Sequence, residues 1–331
     1  MNVSRICLFL MAISTVLMPS GFSQERAGPV VNLMIDVDTP SVPTNEEVRT
    51  LEVNLHKMYS EIRARNQTAT IFLTQDTTSC RIRLLLAQYG VLSDFEFAIS
   101  GNHSEDKLSS MSFSEQKALI ERSIELAKAS KVCGINEIDI TGFMPPLFDQ
   151  NEDTYKVMDD LGIKYDAGFQ EGIIYAPGHE NDVWPYNVEG YGFYAVPVST
   201  YTVSGKKVPL YDRYIKDDGI GPSKWYDLLV ARFEQSAGKD EPLVILLTTS
   251  ISGSGEYLDA LTRFLDYAKS KGAVFVNTMD LVKMSASDSD ITPTGAGSEC
   301  LTCGQEESKN LSITIVKATN STNSSDQEAT A

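Results

Sequence analysis

Asp36 and Asp38 stand one residue apart in "VVNLMIDVDTPSVP", where a mostly apolar run ends in two carboxylates and a Pro-rich turn. Alternate residues of a strand point the same way, so both side chains reach one space beyond the strand end. Carboxylates placed there can exchange protons or hold a cation; they can equally cap the turn that Thr39 and Pro40 open. Histidine is scarce, with three in the chain. His103 lies in "GNHS", just after a third apolar run. His179 lies in "YAPGHENDVWP", whose Gly, Pro, Asp and aromatic content suits a binding loop, although a loop histidine can also be merely solvated or hydrogen-bonded. His56 falls within an amphipathic helix and reads as a surface residue. Rings crowd "DVWPYNVEGYGFYAVPVSTYTV", with Trp184, Tyr186, Tyr191, Phe193, Tyr194 and Tyr201 close together. Sugars stack their C–H faces on such rings; strand core is the alternative.

These residues need strands and helices to place them. "VVNLMID" is a continuous apolar run, as in a strand covered on both faces, and "ATIFLT", "FEFAISG", "EIDITGFMPP", "IKYDAGF", "PLVILLTTS" and "AVFVNT" read as further strands. Between them, "EEVRTLEVNLHKMYSEIRAR" sets Val48, Leu51, Leu55, Met58 and Ile62 near helical spacing. "RIRLLLAQYG" reads as a helix closed by Gly90, and "SFSEQKALIERSIELAKAS" opens on a Ser112–Glu115 capping box. "NEDTYKVMDDLG" and "GEYLDALTRFLDYAKSKG" are helical as well, and no internal repeat is evident. The alternation, sustained over about 250 residues, predicts a parallel α/β domain, with a barrel favoured over an open sheet. Chemistry in such barrels sits where strands end, which puts Asp36, Asp38, His103 and "GFMPP" on one cleft.

Composition limits the partners. A formal charge of −17 on 331 residues repels phosphate backbones, so a nucleic-acid role is not expected. Arg5 precedes "ICLFLMAISTVLMP", and Gly21, Phe22 and Ser23 follow; residues 1–23 read as a signal peptide, too short in apolar length for the roughly 20 residues that span a bilayer. Secretion or a cell-surface location follows. Beyond Cys7 the chain keeps Cys80, Cys133, Cys300 and Cys303, and a Cys80–Cys133 disulfide or two free thiols both fit. "CLTCG" reads as a local disulfide, with a metal knuckle the alternative. From residue 285 the chain turns rich in Ser, Thr, Asn and acids, the composition of a disordered tail. Sequons occur at Asn66, Asn102, Asn310, Asn320 and Asn323, and "LSITIVKA" is one possible strand in the tail. The domain is therefore expected over residues 24–284, with the oligomeric state open.

The order of these landmarks resembles the polysaccharide deacetylases, the carbohydrate esterases of family four with the NodB homology domain. In that family a first strand ends in T-F-D-D-G-P, followed by A-T-F-F, by G-N-H-T/S with a second histidine four residues on, by R-P-P, and by a late strand ending in L-x-H. The matching stretches here are "NLMIDVDTPS", "ATIFLT", "ISGNHSEDKLSSMSFSEQ", "GFMPPLFDQNEDTYKVMDDLGIKYDAGF" and "PLVILLTTS", across residues 29–284. The resemblance implies a distorted (β/α) TIM-like barrel that removes acetyl groups from N-acetylated sugars with one divalent metal, usually zinc.

Carried over, Asp36 is the base, Asp38 a metal ligand and His103 a second ligand. Lys107 stands where the second histidine belongs, so Asp106 or Glu105 is the substitute ligand; His179 is another candidate for the missing ligand or acid. Pro145 and Pro146 match R-P-P without its arginine, which is Met144, and with Trp184 and His179 they form the expected substrate surface. The late histidine is replaced by Thr248 or Thr249, neither of which donates a proton as an imidazolium does. Three readings follow: a secreted metal-dependent deacetylase of an extracellular amino-sugar polymer or glycan, a non-catalytic relative that binds carbohydrate at the cell surface, and a hydrolase of a non-sugar amide. The retained aspartates and "GNHS" favour the first; Lys107, Met144 and Thr248 favour the second.

Overall fold

Strand β1 (Val30–Val37) is buried along its whole length because strands flank both edges and side chains cover both faces. Val31, Leu33, Ile35 and Val37 face outward into the core shared with the helices, whereas Val30 and Met34 face the barrel interior. Asn32, Asp36 and Asp38 have the interior parity. The computed structural model describes residues 28–38, 43–74, 94–128, 139–203 and 205–289. The expected signal peptide, Thr39 and Pro40, the helix at residues 81–90, the Cys80–Cys133 and Cys300/Cys303 pairs, the sequons at Asn310, Asn320 and Asn323, and the tail beyond residue 289 lie outside the described residues.

One edge of β1 pairs with β10 (Leu243–Thr248), from Val31 opposite Leu243 to Asp36 opposite Thr248. Its other edge is divided: β11 (Val274–Val276) takes the first half and β2 (Thr70–Leu73) the second. From β2 the sheet continues in parallel through β3 (Glu96–Ile99), β4 (Gly142–Phe143), β5 (Tyr165–Gln170) and β7 (Tyr194–Val198), with β6 (Tyr186–Asn187) antiparallel at the edge. The sheet curls back towards its start, since Ser199 N donates to the Val244 carbonyl at 3.0 Å and Tyr211 bridges to Leu246. A hairpin, β8 (Thr200–Val203) with β9 (Lys206–Pro209), stands apart. This is a parallel α/β barrel, as the alternating pattern predicts, distorted as the resemblance implies.

Helices α1 (Asn45–Arg63), α2 (Phe113–Lys128), α3 (Glu152–Asp160), α5 (Pro222–Ala237) and α6 (Gly255–Ser270) accompany the strands, with the short α4 (Asp212–Asp217) before β10. The Ser112–Glu115 box forms as expected, and a second joins Thr44 to Glu47 at the start of α1. Leu51, Leu55, Met58 and Ile62 are the buried stripe of α1. His56, expected at the surface, is half-buried with its Nδ1 against the Tyr59 hydroxyl, because the ring packs edge-on to Tyr59 one turn along.

The amino end of the barrel is closed by α7 (Thr278–Ser289), which continues past the boundary expected at residue 284. Glu96 reaches this helix from inside the barrel. It accepts from Met279 N at 2.8 Å, Tyr165 Oη at 2.8 Å, Thr70 Oγ1 at 3.0 Å and Thr141 Oγ1 at 3.1 Å. Burial raises the Glu96 carboxyl above the usual range, and these donors oppose the shift. The end that α7 covers is the one opposite Asp36 and Asp38. No described helix is long and apolar enough to cross a membrane.

Candidate active site at the carboxyl end of the barrel

Asp38 is gripped by three residues distant in sequence. Its Oδ1 accepts from Thr249 Oγ1 at 2.7 Å and from Ser250 N at 3.0 Å; its Oδ2 accepts from Ser250 Oγ and from Arg213 Nη2 at 3.1 Å. The β1–β10 register makes this possible, because Thr248 lies beside Asp36 and the turn that follows folds over the strand ends. The same turn holds Asp212, which accepts from Thr248 N at 2.8 Å, Thr248 Oγ1 at 3.1 Å and Ser252 Oγ at 2.7 Å. Asp212 thus anchors α4, and its neighbour Arg213 is presented to Asp38.

Asp36 is treated differently. It is 6 % exposed, and its buried Oδ1 has no hydrogen-bond partner among the described residues. Burial pushes its pKa up to about 7, helped by the Asp38 charge and opposed by Arg213. Asp212 also rises to about 7, chiefly by burial and against the pull of its donors. Two carboxylates two residues apart therefore differ in kind, one saturated with donors and one buried and poised to hold or release a proton near neutral pH.

An aromatic wall borders the pair. Tyr211 packs edge-on to Phe148 at 5.7 Å and to Tyr214 at 5.1 Å, and the Arg213 guanidinium lies 6.0 Å from the Tyr211 ring centre. Phe148 and Leu147 both sit in the left-handed backbone region, at φ 55° and 56°, and Leu147 is 40 % exposed. Two strands along the sheet from β1, His103 follows β3 with its Nε2 3.1 Å from Asn102 Nδ2. Asp106 turns back on its own loop, accepting from Asn102 N at 2.6 Å and His103 N at 2.8 Å. Glu105 and Lys107 are exposed.

Solved structures share this architecture. A Mycobacterium smegmatis protein described as a polysaccharide deacetylase superposes with a TM-score of 0.60 at 18% identity, over 84% of this chain and 97% of that one. A Pseudomonas aeruginosa PAO1 protein of the same description gives 0.61 at 13% identity, over 80% and 94%. The Puue allantoinase gives 0.60 at 15%, over 81% and 94%. The chain has the polysaccharide deacetylase fold. No protein-family model matches the sequence, and no curated protein matches it.

Within this fold, the described residues do not fit a divalent ion. Among the described residues no three His, Cys, Asp or Glu side chains converge as a metal site. Asp38 is saturated by four donors, one of them a cation, while Asp106 gives its Oδ2 to two backbone amides. A metal ligand needs lone pairs free of such donors.

The expected substrate residues are spread over the molecule. Pro145 and Pro146 are buried, so tightly that a Cβ on Gly168 would come 2.3 Å from Pro145 Cγ and one on Gly101 2.5 Å from Pro146 Cγ. They lock the β4 loop against its neighbours. Trp184 packs on the interior cluster that includes Leu281 and Val282 of α7, and Ser285 Oγ donates to the Pro185 carbonyl. Tyr186 pairs with Ala195 near the start of β7, so β6 itself lies towards the amino end, opposite Asp36 and Asp38. His179 stacks on Tyr186 at 3.9 Å and bonds Asp182 through Nδ1 at 2.6 Å. Much of the aromatic run is core: Tyr186 and Phe193 are buried with Tyr155 and Phe169.

Arg213, Asp212, Tyr211 and Ser250 were not singled out from the sequence. Two signals point to them in hindsight: the Asp-Arg pair between tyrosines in "LYDRYIK", and the hydroxyl-rich "TTSISGS" after the last long strand.

Proposed function

We propose that this chain binds an N-acetylated glycan at the carboxyl end of its barrel and does not perform metal-dependent deacetylation. The observation that carries this is the saturation of Asp38 by Arg213, Thr249 and Ser250. The carbohydrate class is suggested by the deacetylases that share its fold, and the leader-like segment at residues 1–23 supports an extracellular or cell-surface location. The test pairs three measurements on the purified protein: metal content after incubation with zinc, cobalt or nickel, acetate release from acetylated chito-oligosaccharides, and calorimetric binding of the same oligosaccharides. Binding with neither stoichiometric metal nor acetate release is expected. One metal per chain with acetate release would overturn the reading.

Asp36 favours a second reading, slow amide hydrolysis without a metal. A buried carboxyl with a pKa of about 7 and an unpartnered oxygen can take a proton from water and return it to a leaving amine. Acetate release that survives chelation and disappears in Asp36→Asn would support it.

A further inference from the structure

The failed fit to a metal leaves a question about what occupies its electrostatic place. Asp38 has the interior parity and the strand-end position from which the resemblance expects it to hold a cation, and it does hold one: the guanidinium of Arg213. We propose that Arg213 replaces the metal as the electrophilic group of the cleft, and that Arg213 and Asp36 form a subsite for an acyl oxygen.

Arginine presents five N–H donors in a planar fork, and Asp38 is the one hydrogen-bond acceptor that Arg213 meets among the described residues. Its side chain is 24 % exposed, against 9 % for Asp38, so the guanidinium is held from behind and open in front. Its backbone is fixed, because the adjacent Asp212 is tied to Thr248 and Ser252. Tyr211 covers one side of the fork. Beside it, the buried Oδ1 of Asp36 has no hydrogen-bond partner among the described residues, an unmet acceptor that a ligand group would satisfy. An oxygen of a planar acyl group would accept from the guanidinium while the group's second heteroatom meets Asp36. In an acetamide that atom is the nitrogen, whose N–H donates to Asp36 Oδ1. In acetate it is the second oxygen, which accepts from Asp36 in its protonated form. The subsite rests on the glycan-binding reading for its larger ligand but not for the acyl group itself.

The experiment uses chelator-dialysed full-length protein, with sodium acetate and triacetylchitotriose as probes, followed by ligand-observed saturation-transfer NMR. Wild type is expected to bind both without added metal. Arg213→Gln is expected to weaken both by about tenfold or more, the usual consequence of losing a hydrogen bond to a charged donor. Arg213→Lys keeps the charge without the fork and should fall between. Arg213→Ala should regain acetate binding when millimolar guanidinium is supplied, a rescue that a merely structural arginine would not show. Circular dichroism establishes that each variant is folded. Acetate binding through Arg213 without triacetylchitotriose binding would keep the subsite and sink the glycan reading. Binding that appears only with zinc, binding unchanged in Arg213→Gln, or no binding of either probe by wild type would overturn the proposal.

Discussion

Arg213 Nη2 lies 3.1 Å from Asp38 Oδ2, joining the first strand of the sheet to the segment that precedes its last long one. The contact is one of four that converge on a single carboxylate, and it decides both the charge of the cleft and the fate of the expected metal ligand.

Asp38→Ala should therefore destabilise the protein by about 3 kcal/mol, because it strands a partly buried guanidinium and the hydroxyls of Thr249 and Ser250. Urea titration reads this directly. Arg213→Ala should cost less, since its side chain is the more solvated of the two. Equal or reversed losses would show that the pair is not the organising contact of the strand ends.

Stability should fall as pH rises from 5 to 8. Burial pushes Asp36 and Asp212 up to about 7, and Asp166 up to about 8. Each of these acids holds its proton in the folded state across a range where the unfolded chain, near its ordinary value of about 4, has lost it. The folded state binds more protons, so the stabilisation is complete below the unfolded value and is lost as pH climbs through the folded one. Thermal melts at pH 5.5 and pH 8 should show the higher midpoint at pH 5.5. Asp166→Asn should reduce the difference, because Asp166 Oδ2 is buried without a partner among the described residues. A flat profile in wild type would contradict this assignment.

Glu96→Ala should loosen α7. The substitution removes the acceptor of Met279 N at the first turn of the helix and leaves Tyr165, Thr70 and Thr141 without theirs. A loss of about 2–3 kcal/mol is expected. Amide exchange should report faster opening in residues 278–284 than in β1. Uniform loss of protection would mean that the plug and the barrel unfold as one unit.

Leu147→Gly should raise the melting temperature. Leu147 adopts φ 56° with its side chain 40 % exposed, so glycine removes about 1 kcal/mol of left-handed strain and gives up little burial. Phe148→Gly has the same backbone benefit but loses the packing on Tyr211 and Tyr214, and should destabilise. A parallel response of the two variants would rule out strain as the controlling factor.

The strands that reveal themselves in the sequence are those whose burial is two-sided. β1 is apolar apart from Asn32 and Asp36, and β10 apart from its last residue, Thr248. β4 is read from the sequence only as the end of the longer stretch "EIDITGFMPP", and β6, two residues long, carries no periodicity to detect. Within the site, the shared face of Asp36 and Asp38 follows from strand geometry alone. The difference between them does not, because it depends on Arg213, Thr249 and Ser250, which no local pattern connects to residue 38. Asp106 illustrates the reverse: its spacing from His103 suggests a shared ligand role, while the loop needs its carboxylate to satisfy two of its own amides. His179 and Trp184 were drawn towards the cleft by their loop composition, whereas His179 stacks on Tyr186 and Trp184 packs on the interior cluster.

The division of β1 between β10, β2 and β11 governs when the molecule can assemble. During synthesis β1 emerges well before two of its three neighbours, β10 and β11. Pairings between such distant segments are slow to form, and until they do one edge of an apolar strand stays open to wrong partners. Asp38 therefore waits for partners made much later, since Arg213, Thr249 and Ser250 enclose it only once they have been synthesised.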